Sequence, residues 1–268
     1  TETGLYVSLD DGATWQAFQG NLPVVPVYDL MVKDNDLVAA THGRSFWILD
    51  DITVLHQYTD AVASAPAHLF TPRPTYRRNP PIGGNRPVAS GKNYMIALGY
   101  AATYSESTTP TGDTIRTYWD AGSNPPDGAI ITYRLQQQAG VVTLRFVDAQ
   151  GQVVNTFSSH GTPETAARVP TTAGIHRFLW NMRYPDARAV PGDKSTERSL
   201  TGPLVAPGTY TVELSVAGQI YQTSCEVRVD PRGTATQADL EAQCILLLKI
   251  RDKVSETHDA INQMAHVR

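Results

Sequence analysis

Cysteine is nearly missing from this chain: Cys225 and Cys244 are the only two in 268 residues. Two thiols exclude a disulfide-stapled framework. Neither lies in a CxxC pair or a Cys/His cluster, so no structural zinc site is expected, and nothing implies a metal or other cofactor. Each cysteine fits an apolar core position; the alternative is a bridge between Cys225 and Cys244 in an oxidising compartment. Charge is also sparse. Charged residues make up 18% of the chain and the net charge is -4, which offers no basic surface to nucleic acid or to an anionic membrane. No apolar run approaches the ~18 residues that a membrane span needs. The common catalytic signatures are missing as well: there is no GxSxG elbow, HExxH, phosphate loop or GxGxxG. The seven histidines are scattered. His176 and His258 sit in strand and helix patterns, where a packed or surface histidine is the default.

What the chain does have is 41% hydrophobic residues, enough length for two ordinary domains, and a Thr- and Gly-rich β pattern. GLYVS, a DDG turn and TWQAF form a hairpin pattern. After NLP come VYDLMV, a KDND turn, DLVAATHG and SFWILDD. Four or so short, locally connected strands within residues 1–58 resemble one β-propeller blade with part of its neighbour.

Residues 59–122 change character. Prolines and glycines accumulate from about Ala65 to Gly91, with Arg73, Arg77, Arg78 and Arg86 and no acidic residue among them. Proline removes a ladder donor, so the expectation is a linker or a strap over another surface; the arginines are solvated linker charge or an anion contact. Tyr94, Tyr100, Tyr104, Tyr118 and Trp119 follow, either as core rings of irregular strands or as a platform for sugar rings.

Residues 123–232 carry the strongest strand signal. In VVTLRFV, Val142, Leu144 and Phe146 alternate with Thr143 and Arg145, which predicts one dry face and one wet face. In TYTVELSV the residues Tyr210, Val212, Leu214 and Val216 alternate with Thr211, Glu213 and Ser215, and CEVRV follows the Ala217–Gly218 turn. Roughly seven strands with a turn about every ten residues predict an immunoglobulin-like sandwich. Residues 233–268 predict a helix. Thr236 and Asp239 have capping-box spacing, and Leu247, Ile250, Val254, Ile261 and Met264 recur at helical steps, a stripe that needs a partner. The chain ends without a C-cap glycine, so a second helix or self-association through this one is a candidate. The predicted class is therefore mainly β: partial propeller blade or blades, linker, Ig-like sandwich and C-terminal α-helix.

The motif that carries the functional argument is SLDDGATW. It fits Ser-x-Asp-x-Gly-x-Thr-Trp: Asp10 accepts from amides pointing into a tight turn, and Gly12 supplies a conformation that other residues resist. Ser8 and Thr14 add hydroxyls, Trp15 is expected to pack beneath, and Asp11 faces solvent. All these side chains are occupied in holding the turn, so the motif predicts structure, not catalysis.

That motif resembles the Asp box of bacterial neuraminidase repeats. GLYVSLDDGATWQAF…NLPVVPVYDLMV…DLVAATHGRSFWILDDI is similar to the final propeller segment of bacterial sortilin-like or neuraminidase-repeat glycosyl hydrolases. The strands from NPPDGA to CEVRV and the terminal helix resemble the module that follows that propeller. The resemblance implies a secreted, periplasmic or envelope-associated setting, with Ser8, Asp10, Gly12, Thr14 and Trp15 as Asp-box positions. It implies no catalytic pair here, because sialidase-type sites draw an arginine cluster and a tyrosine nucleophile from several blades. A ring needs at least four blades to close, and a lone blade exposes its edges. The expectation is a non-catalytic C-terminal region of a larger propeller protein, whose remaining blades come from the same parent or from a partner chain.

Two alternatives stand beside it. In THGRSFWILDD, His42, Arg44 and Asp50 are candidates to face a ligand and to contribute to a glycoside hydrolase cleft. Asp50 and Asp51 point to opposite sides of an extended strand, so at most one joins a carboxylate pair. The third reading is a carbohydrate-binding module built on the aromatics of 94–119.

Overall fold

The computed structural model describes residues 1–78, 91–97, 100–108, 114–118, 122, 125–160, 168–193 and 200–266; between 91 and 118 it describes backbone, with side chains at Tyr104 and Ser105 alone. The chain is mainly β, with a curled, half-barrel sheet and a C-terminal helix. It divides into two compact units, one of residues 1–77, 128–161 and 167–268, the other of 78–127 and 162–166.

The core of the first unit lies between two sheets. Strands β6 (Ala67–Leu69), β11 (Ala129–Leu135) and β14 (Gly174–Trp180) form an antiparallel sheet in the order β14-β11-β6. The larger sheet runs β13-β12-β15-β16-β7, from β7 (Thr75–Arg77), β12 (Val142–Val147), β13 (Val153–Ser158), β15 (Gly208–Val216) and β16 (Gln219–Val229). Register explains its cohesion. Leu144 faces Phe157 on β13, and Val142, Leu144 and Phe146 face Val216, Leu214 and Val212 on β15, so each dry residue of β12 meets a dry one on β15. The expected alternation holds: Val142, Leu144, Phe146, Val212 and Leu214 are fully buried. Ile131, Tyr133, Phe178 and Trp180 of the smaller sheet join the same core. Phe146 stacks on Trp180 at 4.1 Å between centroids, and Tyr210 meets Trp180 edge-on at 5.4 Å. Ala217 and Gly218 both have positive φ, 49° and 79°, the handedness that a two-residue hairpin turn between β15 and β16 requires.

Within the segment expected to be a linker, β6 and β7 are real strands. Both are three residues long and lie at sheet edges, β6 beside β11 and β7 parallel to β16. Proline is tolerated there because an edge strand has no obligatory donor on its outer side. Ala67 and Leu69 are buried. Two five-residue helices, α1 (Thr53–Gln57) and α2 (Asp60–Ser64), precede them, and Arg134 on β11 donates to the Val62 and Ala65 carbonyls at the end of α2. The second unit carries an antiparallel sheet of β8 (Gly91–Ala97), β9 (Tyr100–Thr108) and β10 (Thr114–Tyr118), in the order β10-β9-β8.

The first fifty residues make two small sheets. One is β1 (Tyr6–Val7) with β2 (Gln16–Ala17); the other is β3 (Val27–Lys33), β4 (Asp36–Thr41) and β5 (Phe46–Leu49), in the order β3-β4-β5. The KDND turn between β3 and β4 has Asp34 and Asn35 at positive φ, 52° and 65°, again matching a tight hairpin.

Helix α3 (Gln237–His266) closes the chain. Its start is the reciprocal box that the sequence predicts: Thr236 N–H donates to Asp239 Oδ2 at 2.9 Å, and Asp239 N–H donates to Thr236 Oγ1 at 3.2 Å. These bonds satisfy amides that have no partner inside the helix.

Candidate functional site

The SLDDGATW turn is held by its own side chains. Asp10 Oδ1 accepts from Thr14 N–H at 2.8 Å and from Ser8 Oγ at 2.7 Å, while Oδ2 accepts from Thr14 Oγ1 at 2.5 Å. Ser8 Oγ in turn accepts from Gly12 N–H at 2.7 Å. The bonds from Thr14 and Ser8 hold the Asp10 carboxyl down to about 2, because each favours the charged form. Gly12 sits at φ 89° and Asp11 at 56°, with Asp11 exposed. Both oxygens of Asp10 are engaged within the turn, so the carboxylate holds the loop in shape. Trp15 departs from expectation. It is 64% exposed: β1 and β2 pair over two residues each, a ladder too short to bring a layer beneath the indole.

His42, Arg44 and Asp50 are not brought together. His42 and Arg44 lie in the hairpin between β4 and β5, both exposed. His42 N–H donates to the Pro26 carbonyl at 2.9 Å, its ring lies 5.0 Å from that of Tyr28, and the Arg44 carbonyl accepts from Trp47 Nε1 at 2.9 Å. Asp50 follows β5 at its other end. The four residues of β5 put about 13 Å of extended chain between the two places. Asp50 belongs to a different group. Burial and the neighbouring Asp36 push its carboxyl up, against the pull of Arg73 and Arg177. Asp36 is itself paired with Arg73 at 2.7 Å and accepts from Asp51 N–H, while Asp51 accepts from the Thr53 amide and hydroxyl. This is a braced junction after β5, in which Asp36 and Asp51 are bonded to protein donors. Among the described residues, no group of three or more His, Cys, Asp or Glu is placed to hold a metal ion.

The described arginines of the proline-rich segment, Arg73, Arg77 and Arg78, have protein partners supplied by distant parts of the chain. Arg73 takes Asp36, and Arg78 takes Asp127 at 2.9 Å. Arg77 is buried, donating to the Val205 carbonyl at 2.8 Å and to Gln243 Oε1 of α3 at 2.7 Å. Arg86 and Trp119 lie outside the described residues, as do the side chains of Tyr94, Tyr100 and Tyr118; Tyr104 is buried. Cys225 and Cys244 are free thiols, not a bridge. Cys225 faces Tyr210 across the ladder inside the core, and Cys244 is buried on α3.

The strands expected in VYDLMV, DLVAATHG and SFWILDD form the β3-β4-β5 sheet; the feature that sequence reasoning did not single out is the apolar character of both its faces. Its register sets Leu30, Ala39 and Trp47 in one row, and Val32, Leu37 and Leu49 in another on the same face. Met31, Val38 and Ile48 form a row on the opposite face, beside Ala40 and Phe46. Asp29 shares the row of Ala40 and Phe46, and Lys33 pairs with Asp36 at the end of that face; the middle of both faces is apolar, the pattern of a sheet covered on both sides. Yet Leu30, Met31, Val32, Phe46, Ile48 and Leu49 are all exposed. The signal was present in the near-continuous apolar runs VYDLMV, LVAA and FWIL.

No family model matches this chain, and no curated protein does. Among solved structures it is similar to CopC from Methylosinus trichosporium OB3b, at 15% identity over 41% of this chain and 82% of that chain, with a TM-score of 0.22. A likeness that slight carries no argument about fold or activity. None of the helices is long and apolar enough to cross a membrane, among the described residues.

Proposed function

We propose that this chain is a non-catalytic structural and interaction region of an Asp-box β-propeller protein, in which β1–β5 supply a blade and part of its neighbour. The observation that carries this reading is the β3-β4-β5 sheet, apolar and exposed on both faces. A sheet of that kind is made to lie between two other sheets, as a blade does in a ring. The self-bonded SLDDGATW turn supports the same assignment, since its hydrogen bonds are those of an Asp box doing a structural task. The two sheets that share the main core are read as an Ig-like sandwich. In support, the Tyr210 hydroxyl donates to the Ala206 carbonyl four residues upstream at 2.6 Å, a tyrosine-corner arrangement. A secreted or envelope setting follows from the resemblance.

The test is a longer chain encoded by the same reading frame. Further Ser-x-Asp-x-Gly-x-Thr-Trp turns upstream are expected, and a chain that includes them should bind far less of an apolar dye than residues 1–268. Hydrolysis of fluorogenic glycosides by residues 1–268 alone overturns the reading.

A further inference from the structure

The end of the β3-β4-β5 sheet that leads into the sandwich holds two facing carboxylates and one committed cation. The β4-β5 ladder ends with Leu37 opposite Leu49, so one step further the chain sets Asp36 opposite Asp50 on one face. Like charges directly opposite each other across a ladder repel. Asp36 Oδ1 is taken by Arg73 at 2.7 Å and by the Asp51 N–H at 2.8 Å. Asp50 is half-buried and has no hydrogen bond or ion pair among the described residues. Lys33, across from Asp36 on β3, is turned to Asp34 at 2.8 Å. Arg73 pulls on Asp50 from the strap between β6 and β7, and exposed Arg177 from β14, while Asp36 and Asp51 repel its charge. Burial and Asp36 outweigh the two arginines and lift the Asp50 carboxyl above its ordinary 3.8.

The same place fastens the sheet to the sandwich. Ile52 is buried, and its N–H donates to the Asn35 carbonyl at 2.8 Å. Gln57 of α1 exchanges two bonds with the strap: its Nε2 donates to the Thr71 carbonyl at 2.8 Å, and its Oε1 accepts from the Thr71 N–H at 2.9 Å. The Thr71 hydroxyl in turn meets that of Thr223 on β16 at 2.8 Å. The Arg73–Asp36 pair is thus a tie between the sheet and the strap that joins β6 to β7.

We propose that Asp50 makes this junction a proton-sensitive latch, which holds the β3-β4-β5 sheet to the sandwich more firmly when Asp50 carries a proton than when it is charged. A proton removes the opposition across the ladder and leaves Arg73 undivided for Asp36. The relief open to Asp50 is a proton, since no group of three His, Cys, Asp or Glu among the described residues is placed to hold a metal ion. The folded value lies above the unfolded one, so the gain is complete below about pH 4 and is lost as pH rises through the folded value. Asp10 has the opposite sense, its contribution fading in acid. The latch is made of bonds within this chain and stands whether or not the sheet is a blade.

Amide hydrogen exchange on the whole chain tests this, with intrinsic rates corrected for pH. The protection of the Ile52 and Thr71 amides, relative to that of Leu144 in the core, is expected to fall about 3-fold or more between about pH 4 and about pH 7.5. Asp50→Asn keeps the shape without the charge and should hold the acid ratio at both pH values. By carbon-13 chemical shift, the wild-type Asp50 carboxyl should titrate above 3.8. A wild-type ratio that does not change with pH, a fall of equal size in Asp50→Asn, or an Asp50 midpoint at or below 3.8 each overturns the proposal. If Asp50→Asn fails to fold, the wild-type midpoint and exchange ratio decide by themselves.

Discussion

Trp180 offers a sharp test of how the main core is held, because two opposing effects meet in one side chain. It is fully buried and stacked on Phe146, yet its Nε1 has no hydrogen-bond partner among the described residues. A buried donor left unpaired costs about 1–3 kcal/mol. Trp180→Phe removes that donor but leaves a void of about 40 Å³, costing about 1 kcal/mol at ~24 cal/mol per Å³, with roughly 1 kcal/mol more for the lost apolar burial. The terms nearly cancel, so Trp180→Phe should lie within about 1 kcal/mol of wild type, whereas Trp180→Ala should cost about 3–5 kcal/mol. Tyr133→Phe provides the contrast. The Tyr133 hydroxyl donates to the Pro170 carbonyl at 2.6 Å, so deleting one atom there strips a satisfied bond and should cost about 1–2 kcal/mol. Urea unfolding followed by far-ultraviolet circular dichroism measures all three without relying on tryptophan emission. If Trp180→Phe costs more than about 3 kcal/mol while Tyr133→Phe costs nothing, the balance of buried donors argued here is wrong.

Three further outcomes are expected. Gly202 has no room for a methyl group, since a Cβ would come within 1.9 Å of the Tyr184 carbonyl oxygen and 2.6 Å of that of Pro185; Gly202→Ala should cost about 3 kcal/mol or more in the same urea assay, against a far smaller effect at the open Gly140. The Asp10 carboxyl, held down to about 2 from 3.8, should titrate near 2 by carbon-13 chemical shift. Its folded value lies below its unfolded one, so the stability it contributes is complete above about pH 4 and fades as pH falls toward 2; a midpoint near 4 means that the turn bonds are not formed. Burial lifts the Cys225 thiol to about 12 and also raises Cys244, so neither should react with a thiol reagent at pH 8 until the chain is unfolded, and rapid native labelling of Cys225 refutes the packing around it.

The parts of this fold that the sequence announces are those where one side of an element is dry and the other wet. Thr143 and Arg145 between Val142, Leu144 and Phe146 give away β12, and the same period gives away β15. The capping box at Thr236 and Asp239 was legible because its bonds span three residues and need nothing from the rest of the chain. The strands β6 and β7 were hidden by Pro66, Pro72 and Pro74 and by their brevity; an edge position removes the conflict between proline and pairing, but edge position is a tertiary fact. Partners of Arg73, Arg77 and Arg78 were hidden for the same reason, lying 37, 128 and 49 residues or more away. The packing of Trp15 was misjudged because a turn motif fixes its loop and says nothing about what lies beneath.

Apolar patterning also carries a kind of information that a single chain does not use up. The residues of β3 and β5 read as core and stand exposed, and the stripe on α3 does the same. By contrast Ser255 and His258, polar in sequence, are buried. Leaving such side chains in water forgoes about 25 cal/mol for every Å² of apolar surface, and exposed apolar patches of this size invite association. A sheet dry on both faces and a helix anchored by its polar side are hard to account for as the resting surfaces of a monomer; each is simple to account for as half of a contact. The two surfaces differ in what they ask for. The β3-β4-β5 sheet presents two apolar faces, which calls for sheets on either side, whereas α3 presents one narrow apolar stripe. Leu30→Asp should therefore lower the binding of an apolar dye to the sheet, and a variant that binds as much dye as the wild type refutes the exposed face.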